Sequence, residues 1–312
     1  MDGKRQMNST SVHRLNADEK LNKANRLLWF ILNWLNNNFC SNAKDPALTT
    51  RDFIADISES NWSQTDIKSS PSRKLSDLFW LQLPWGLIRS ELGEINIFDT
   101  GCGSGNYGVK LQSYSNNIIA SYSGVDISPR DNWSVLAERY PNFSFHKLDS
   151  ANISDYIPDD TNLFISQSSI EHFENDLTYF RHIREFVRRT AKSVMQIHLF
   201  PSPACLKLHW LHGVRQYTPR TISLITRLFQ DCSYSTLYSL GGSECNKLHW
   251  EMITKPMFFQ KIGDLRDTRT QEYDQRLRQA IAADNKSHGE PSFYALLIHS
   301  HWHDAVFRIE AS

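Results

Sequence analysis

The sequence predicts an α/β protein built on one mostly parallel sheet, and three observations carry this prediction. From residue 95 onward, short apolar runs alternate with stretches of helical periodicity, which is the pattern of parallel strands joined by helices. A glycine-rich loop, FDTGCGSGNYG at residues 98 to 108, follows the first of these runs. The chain has 312 residues, which is enough for one large domain with additions.

The N-terminal part of the chain predicts helices. Residues 17 to 38 predict an amphipathic helix that packs on the main domain. Its apolar positions at helical spacing are Leu21, Ala24, Leu28, Ile31 and Leu35. Residues 74 to 92 predict one or two helices broken at Pro84, because proline lacks the amide that a helix interior needs. We therefore divide the chain into a helical N-terminal extension and lid, residues 1 to 92, and a main domain, residues 93 to 312.

The main domain predicts seven strands with helices between them. The strands are expected at residues 95 to 100, 121 to 127, 143 to 149, 162 to 167, 193 to 200, 233 to 240 and 293 to 300. Helices are expected at residues 105 to 115, 131 to 139, 175 to 190 and 219 to 230. Thr218 is the expected N-cap of the last of these, with Pro219 at its first position. Residues 241 to 285 form an insertion between the sixth and seventh strands.

Charge and composition narrow the classes of function. The chain has 34 basic and 34 acidic residues, so no global positive field draws it to nucleic acid or to an anionic membrane by charge alone, and we expect no nucleic-acid partner. Its five cysteines form no C-x-x-C pair, which indicates neither a zinc site nor a disulfide framework. The N-terminus lacks the order of a signal peptide, and the best apolar run, residues 27 to 35, is too short to span a bilayer. We expect a cytoplasmic protein without a membrane span.

The glycine-rich loop fits two kinds of ligand. From Gly103 it matches G-x-G-x-x-G, a dinucleotide fingerprint, and from Asp99 it matches D-x-G-x-G-x-G. Glycines are needed where such a loop turns from a strand to a helix, because a Cβ would block the approach of a ligand. Asp99 would repel a pyrophosphate, whereas it suits a cationic ligand. Asp126, which ends the second strand, can accept hydrogen bonds from ribose hydroxyls in either case.

Four segments resemble the class I (Rossmann-like) S-adenosylmethionine (SAM)-dependent methyltransferases. They are INIFDTGCGSGNYG, YSGVDIS, HKLDSANI and NLFISQSSIEHF, and they occur in the family's order. Asp149, at the tip of the third strand, matches the acid that binds the adenine amino group in this family, and a dinucleotide fold has no comparable use for it. The resemblance covers residues 95 to 200 well and the later strands loosely. It implies a seven-stranded, mostly parallel Rossmann-like sheet whose last strand is antiparallel.

The resemblance also implies SAM as the cofactor and gives a role to each matching residue. The loop glycines and Asp99 would surround the methionine part of SAM, Asp126 the ribose and Ile127 the adenine face. Asp149 and Ser150 would lie at the adenine edge, and Gln167 beneath the methyl group. The expected cofactor-binding residues are Asp99, Gly101, Gly103, Gly105, Asp126, Ile127, Asp149, Ser150 and Gln167.

One departure from the family concerns metal binding. A metal-dependent subgroup has E-x-x-E-H after the fourth strand, whereas this chain has Ser168 in place of the first glutamate and keeps Glu171 and His172. The loss of one carboxylate argues against a magnesium site, and no metal is expected.

Three histidines are candidates for catalysis. His172 follows the fourth strand, where the methyl acceptor is expected, and an imidazole can take a proton from an attacking hydroxyl. Alternatively, Glu171 and His172 cap the next helix and shape the pocket. His209 and His212 follow the fifth strand, at the edge of the sheet that faces ligands. His198, within the fifth strand, is expected to be a core residue.

The expected function is transfer of a methyl group from SAM to an oxygen or nitrogen of a small molecule or saccharide, with release of S-adenosylhomocysteine (SAH). The protein's part in such a reaction is to align donor and acceptor and, for a hydroxyl, to remove a proton. Two alternatives stay open: a nicotinamide-dependent oxidoreductase, and a SAM-binding subunit that does not catalyse transfer. The sequence specifies neither the acceptor nor the oligomeric state.

Overall fold

Eight strands form one sheet. The computed structural model describes residues 7–148, 152–287 and 289–307. The strands are β1 (Leu48–Asp52), β2 (Ile95–Thr100), β3 (Ile119–Asp126), β4 (Phe143–Lys147), β5 (Leu163–Gln167), β6 (Val194–Pro201), β7 (Ser233–Leu240) and β8 (Phe293–Ser300). They lie in the order β1-β7-β8-β6-β5-β2-β3-β4. β8 is antiparallel to both of its neighbours, and the other neighbouring pairs are parallel.

Helices surround the sheet. In chain order they are α1 (Lys23–Phe39), α2 (Glu59–Trp62), α3 (Pro71–Leu81), α4 (Trp85–Leu92), α5 (Asn106–Tyr114), α6 (Asn132–Arg139), α7 (Asp176–Thr190), α8 (Cys205–Leu208), α9 (Pro219–Thr226), α10 (Ser243–His249), α11 (Leu265–Thr268) and α12 (Thr270–Asp284). A π-helical stretch, Trp250–Gln260, continues α10, so the inserted segment between β7 and β8 is helical. The side chain of Thr218 accepts a hydrogen bond from the Thr221 amide and caps α9, with Pro219 following it as predicted.

The α/β class and the antiparallel last strand agree with the sequence prediction, but the predicted number of strands was wrong. All seven predicted strands are present as β2 to β8, and β1 is an additional one. β1 lies in the N-terminal part, which was expected to be helical, and it pairs in parallel with β7 at the edge of the sheet. Only Leu48 of its five residues is buried. Leu48 is also the one apolar residue of this strand, so the strand has no apolar alternation by which the sequence could reveal it.

The hydrophobic core lies on both faces of the sheet. Alternate residues of a strand point to opposite faces, and Ile97 and Phe98 of β2 accordingly belong to different clusters. The Ile97 face is covered by helices that include α3, α5 and α12, and the Phe98 face by α7 and α9. His198 on β6 is fully buried, as expected for a core residue, and donates to or accepts from Ser166 Oγ at 2.8 Å.

The predicted N-terminal helix is present as α1, but its apolar side is not the side that packs on the domain. Trp29, Asn33 and Asn36 are its buried residues, whereas Leu28, Ile31 and Leu35 are exposed. Two of the buried side chains hydrogen-bond to backbone carbonyls. Trp29 Nε1 donates to the Gly213 carbonyl at 3.1 Å, and Asn33 Nδ2 donates to the Val214 carbonyl at 3.1 Å.

The topology brings several loops to one edge of the sheet. β2 has β3 on one side and β5 on the other, so the strand order reverses at β2. Ligands of open α/β sheets bind beyond the carboxyl ends of the strands at such a reversal. The loops that follow β2, β3, β5 and β6 all leave the sheet at this edge, because these strands are parallel. Within the described part of the chain, no helix is long and apolar enough to cross a membrane.

Candidate functional site

The glycine-rich loop joins β2 to α5 through left-handed conformations that glycine adopts without strain. Gly101, Gly103 and Gly105 have φ angles of 73°, 54° and 79°. A Cβ on Gly101 would lie 2.4 Å from Ser169 Cβ, so this glycine allows the loops after β2 and β5 to touch. A Cβ on Gly103 would meet nothing within 4 Å. Gly103 therefore presents open backbone at the position where a ligand is expected.

Asp126 is held against this loop. Its Oδ2 accepts a hydrogen bond from the Gly103 amide at 2.9 Å, and its Oδ1 accepts one from the Ser128 amide at 3.0 Å. Each carboxylate oxygen has a second lone pair for a ligand hydroxyl. The neighbouring Ile127 side chain is 72% exposed, which leaves an apolar surface beside the carboxylate. The predicted adenine residues Asp149 and Ser150 lie outside the described residues.

Asp99 is a residue of β2, just before the loop, and it is not among the residues that line the cavity described below. It is buried, and its Oδ2 accepts a hydrogen bond from the Tyr122 hydroxyl at 2.5 Å. Burial raises the pKa of Asp99 to about 7, against the opposing effect of the Tyr122 hydrogen bond. Its Oδ1 is buried without a hydrogen-bond partner among the described residues. One oxygen of Asp99 thus remains available to a donor that the protein does not supply.

Gln167, at the end of β5, connects the sheet to the N-terminal part of the chain. Its Oε1 accepts a hydrogen bond from Trp80 Nε1 of α3 at 2.9 Å. Ser168 follows with a φ of 52°, and the next residue, Ser169, contacts Gly101 and donates to the Thr100 carbonyl at 2.6 Å. Helix α3 therefore contacts the edge of the sheet where the predicted cofactor residues lie.

A cavity of about 180 Å³ lies beside Ser168. Its lining combines small hydroxyl side chains, ionisable groups and a few apolar residues. The lining residues are Ser70, Ser72, Arg73, Ser76, Ser168, Glu171, Pro201, Cys205, His209, His212, Gln216 and Phe293. Two of the three predicted catalytic histidines, His209 and His212, are among them. His172 is outside the lining, although its ring centroid lies 4.6 Å from that of His212.

Asp18 connects the two imidazoles of His172 and His212. Its Oδ2 is hydrogen-bonded to His172 Nδ1, and its Oδ1 lies 3.0 Å from His212 Nδ1. The Gly213 amide also donates to Oδ1 at 3.0 Å. Burial alone would raise the pKa of Asp18, but the hydrogen bonds from the two histidines lower it well below its usual range. Asp18 is therefore an anion that orients both rings through their Nδ1 atoms.

The charge of this network also acts on His172. Burial opposes protonation of its ring, but the hydrogen bond with Asp18 and the charge of Glu171 outweigh burial and raise the pKa of His172. His209, in contrast, is kept neutral. Burial, assisted by the charges of His212 and Arg73, lowers the pKa of His209 to about 4.

Glu171 brings a second carboxyl group to the cavity. Its side chain is buried, and its Oε2 has no hydrogen-bond partner among the described residues. Burial raises the pKa of this carboxyl above its ordinary value. Arg73 of α3 lines the same cavity and lies over the Tyr107 ring at 5.2 Å. A ligand in the cavity would thus meet a guanidinium, a carboxyl group and two imidazoles.

Asp18, His172 and His212 could also hold a metal ion. Each offers one ligand atom, and these atoms lie within 4.8 Å of one another. Two imidazoles and a carboxylate suit a divalent transition metal better than magnesium. The hydrogen bonds between Asp18 and the two rings account for the same arrangement without an ion.

Sequence reasoning missed Asp18 and Arg73. Asp18 lies in a polar N-terminal stretch where nothing distinguishes it, and its partner His172 is 154 residues away. One sequence pattern surrounds Arg73. It follows Pro71 at the start of a helix, in the segment expected to form a lid. Such a position predicts a helix start and gives no indication of a site.

Comparison with known proteins finds remote similarity of structure. No family model matches the chain, and no curated protein sequence matches it. Among solved structures, coclaurine N-methyltransferase bound to N-methylheliamine and SAH has 13% identity and a TM-score of 0.44, over 90% of this chain and 88% of that chain. The plantazolicin methyltransferase BamL in complex with a triazolic desmethylPZN analogue and SAH has 15% identity and a TM-score of 0.41, over 73% and 85% of the two chains. The [4+2]-cyclase SpnF has 10% identity and a TM-score of 0.42, over 76% and 84%. Similarity at this level does not assign an activity, so the site itself carries the functional argument.

Proposed function

We propose that the protein is a SAM-dependent methyltransferase that acts on an oxygen or nitrogen of a small molecule or saccharide. The observation that carries the proposal is the Asp126 carboxylate fixed against the amide of Gly103, whose missing Cβ leaves open space. This arrangement fits a ribose whose hydroxyls donate to Asp126 while the rest of the ligand passes over the glycine backbone. The exposed Ile127 beside it offers an apolar surface for an adenine ring.

The cavity beside Ser168 is the proposed acceptor site. It adjoins the glycine loop, because Ser169, the residue after Ser168, contacts Gly101. Its volume of about 180 Å³ suits a small acceptor or one sugar ring of a larger molecule. Four serines, Arg73 and Glu171 supply hydrogen-bonding partners for a hydroxyl-rich molecule.

The proposed general base is His212, oriented by Asp18. A hydrogen bond from Nδ1 to Asp18 Oδ1 fixes the tautomer in which Nε2 is free to accept a proton. His212 lines the cavity and His172 does not, so we assign the base to His212 rather than to His172. His172 then shares the Asp18 carboxylate as a positioning residue.

Methyl transfer requires little from the protein beyond this arrangement of residues. SAM supplies a methyl group on a sulfonium, which is a strong electrophile. Gln167 and the glycine loop hold the donor side, and the cavity residues hold the acceptor. His212 accepts the acceptor's proton as the new bond to carbon forms, and SAH leaves as a neutral thioether.

The first test is a thermal shift of the purified protein with SAH, SAM, NADH and NADPH. We expect SAH and SAM to raise the melting temperature, because a ligand that binds only the folded state stabilises it. Asp126→Ala should bind SAH about ten- to a hundred-fold more weakly, since a hydrogen bond to a charged group contributes about 1.5–3 kcal/mol. Asp131→Ala, an exposed acid at the start of α6, is the matched control and should retain binding.

Other outcomes distinguish the alternatives. Stabilisation by a nicotinamide nucleotide alone would indicate a nicotinamide-dependent oxidoreductase instead of a methyltransferase. Stabilisation by SAH without transfer to any acceptor would indicate a non-catalytic SAM-binding subunit. Incubation of labelled SAM with a panel of nucleotide sugars, tRNA and protein extracts tests the class of acceptor. Labelling of macromolecules alone would refute the proposal that the acceptor is a small molecule or saccharide.

A further inference from the structure

Helix α1 exposes its apolar side instead of burying it. A surface helix ordinarily turns its apolar stripe toward the core, but the buried residues of α1 are Trp29, Asn33 and Asn36. Its outward side carries large apolar side chains at helical spacing. They are Leu27, Leu28, Ile31, Trp34, Leu35 and Phe39, of which Leu27 and Phe39 are 62% and 66% exposed. The helix is fixed in this orientation by the hydrogen bonds of Trp29 and Asn33 to the loop after β6.

A second exposed apolar segment adjoins α1. It lies at the end of the π-helical stretch and in the loop that follows, and it consists of Met257, Phe258, Phe259 and Ile262. Ring contacts connect the two segments. The Phe30 ring of α1 lies 5.7 Å from that of Trp210, and Trp210 lies 5.8 Å from Phe259. We call the exposed side chains of these two segments together the apolar face.

The charges along both segments are positive. Residues 20 to 44 contain four cations, Lys20, Lys23, Arg26 and Lys44, and no acid. Residues 252 to 263 contain Lys255 and Lys261 and no acid. The acids that flank the second segment are paired with arginines, Glu251 with Arg276 at 2.5 Å and Asp264 with Arg266 at 2.6 Å. Within the described ranges, no ion pair is found for Lys23, Lys255 or Lys261.

We propose that the apolar face binds the surface of an anionic lipid bilayer. Exposed Leu, Ile, Phe and Trp side chains bury apolar area in the boundary between headgroups and acyl chains, where tryptophan is enriched. Basic residues beside them are attracted to anionic lipids, by about 1 kcal/mol each near the surface. The combination of apolar and exclusively cationic side chains fits this partner.

A second copy of the chain fits the apolar face less well. In a two-fold symmetric dimer the same patch is present on both sides of the interface. The lysines and Arg26 would then approach identical cations, and neither segment contains an acid to pair with them.

Docking on a bilayer also has a consequence for the cavity. Trp210, which connects the two segments, lies between the cavity residues His209 and His212, so the cavity would be held next to the lipid.

The test is sedimentation of the full chain with vesicles of phosphatidylcholine alone or mixed equally with phosphatidylglycerol. We expect strong binding to the mixed vesicles, weak binding to the neutral ones, and a loss of binding as salt is raised. Ile31→Glu with Leu35→Glu should lower the partition coefficient at least about tenfold, because both side chains belong to the apolar face. Lys255→Gln with Lys261→Gln should remove most of the preference for the anionic vesicles.

Controls separate this inference from folding and from the proposed function. Val135→Glu changes an exposed apolar residue on α6, outside the apolar face, and should leave vesicle binding unchanged. Thermal unfolding and SAH binding should be the same in the Ile31/Leu35 variant as in the wild type, so loss of vesicle binding cannot arise from loss of the cofactor site. The proposal is overturned if the wild type binds neither vesicle or if the Ile31/Leu35 variant binds as well as the wild type. It is also overturned if the chain is a dimer that this variant dissociates while vesicles do not bind.

Discussion

Asp18 accepts hydrogen bonds from three groups that lie far from it in the sequence, the His172 ring, the His212 ring and the Gly213 amide. Its carboxylate thereby sets the tautomer of a histidine that lines the cavity. A carboxylate in this position does not touch the reacting atoms, so we regard it as a positioning residue. Its effect on the reaction acts through His212.

We expect His212→Gln to lower methyl transfer by about 10²- to 10⁴-fold, the usual contribution of a general base. Asp18→Asn should lower it by a smaller factor, because the base remains but its orientation is lost. Both variants should bind SAH as the wild type does. His182→Gln, on α7 and outside the lining of the cavity, is the matched control and should retain full activity. The measurement is the rate of transfer from labelled SAM, and full activity of His212→Gln would assign the base to another group.

Metal removal tests the second possible role of the same three residues. If Asp18 orients the rings by hydrogen bonds alone, a chelator should leave the rate of transfer unchanged. Loss of activity with the chelator, and recovery with one divalent metal, would instead identify Asp18, His172 and His212 as ligands.

The residues of the site differ in how far the sequence reveals them. Asp126 and the loop glycines could be predicted, because the chemistry of the loop demands a positive φ and an acid at the end of the next strand. Asp18 could not, because its role comes from contacts across 154 and 195 residues of chain. The placement of Asp99 shows a further limit. Its position in the loop motif suggested a ligand contact, and only the fold reveals that Tyr122 occupies one of its oxygens.

At the level of elements, the loop between β2 and α5 contains glycines with two different functions. Gly101 permits contact with Ser169, and Gly103 leaves room for a ligand. Alanine at either position adopts a left-handed conformation at a cost of about 1–2 kcal/mol. Gly101→Ala should lose about a further 1–3 kcal/mol through overpacking against Ser169.

This difference predicts that one substitution mainly lowers stability and the other mainly lowers SAH binding. Gly101→Ala should lower the free energy of unfolding more than Gly103→Ala, as measured by urea denaturation. Gly103→Ala should remain folded and yet lose SAH binding, as measured by calorimetry. Equal loss of stability with intact SAH binding in both variants would contradict the proposed role of Gly103.

The sequence predicted strands in which apolar residues recur and missed the strand in which they do not. Strands β2, β5, β6 and β8 are largely buried, and their apolar runs are visible in the sequence. β4 buries only Phe143, but Phe145 two positions further on repeats the apolar pattern. β1, with the sequence LTTRD, has Leu48 as its one apolar residue and could not be recognised. The stripe of α1 was recognised as amphipathic, but amphipathicity does not state which side faces the core. Asn33 and Trp29 decide that, through carbonyl partners that the sequence does not identify.

For the whole molecule, buried histidines predict a dependence of stability on pH. Burial lowers the pKa of His198 from 6.5 to about 3 and that of His299 from 6.5 to about 4, the latter against the charge of Glu91. A lowered histidine pKa means that the unfolded chain binds protons more readily than the folded one. Stability should therefore fall as pH decreases from about 6.5 toward 4, by about 1.4 kcal/mol per pH unit for each such group.

Urea denaturation at pH 6.5 and 4.5 measures this effect. His198→Gln removes one of these groups, so the loss of stability between these pH values should be smaller than in the wild type by roughly 2–3 kcal/mol. His146→Gln, which replaces an exposed histidine on β4, should leave the loss at its wild-type size. An unchanged loss in His198→Gln would show that other groups control acid unfolding.

The position of β8 determines the order in which a growing chain can complete the sheet. β1 and β7 pair with each other, and β8 alone connects them to β6. Strands β2 to β6 can assemble as they leave the ribosome, but β1 and β7 have no place beside them until residues 293 to 300 are made. A nascent chain therefore carries two sheets with unpaired edges until β8 has been made. An mRNA truncated between the codons for β7 and β8 would therefore encode nearly every residue of the candidate site and still yield a product prone to aggregation.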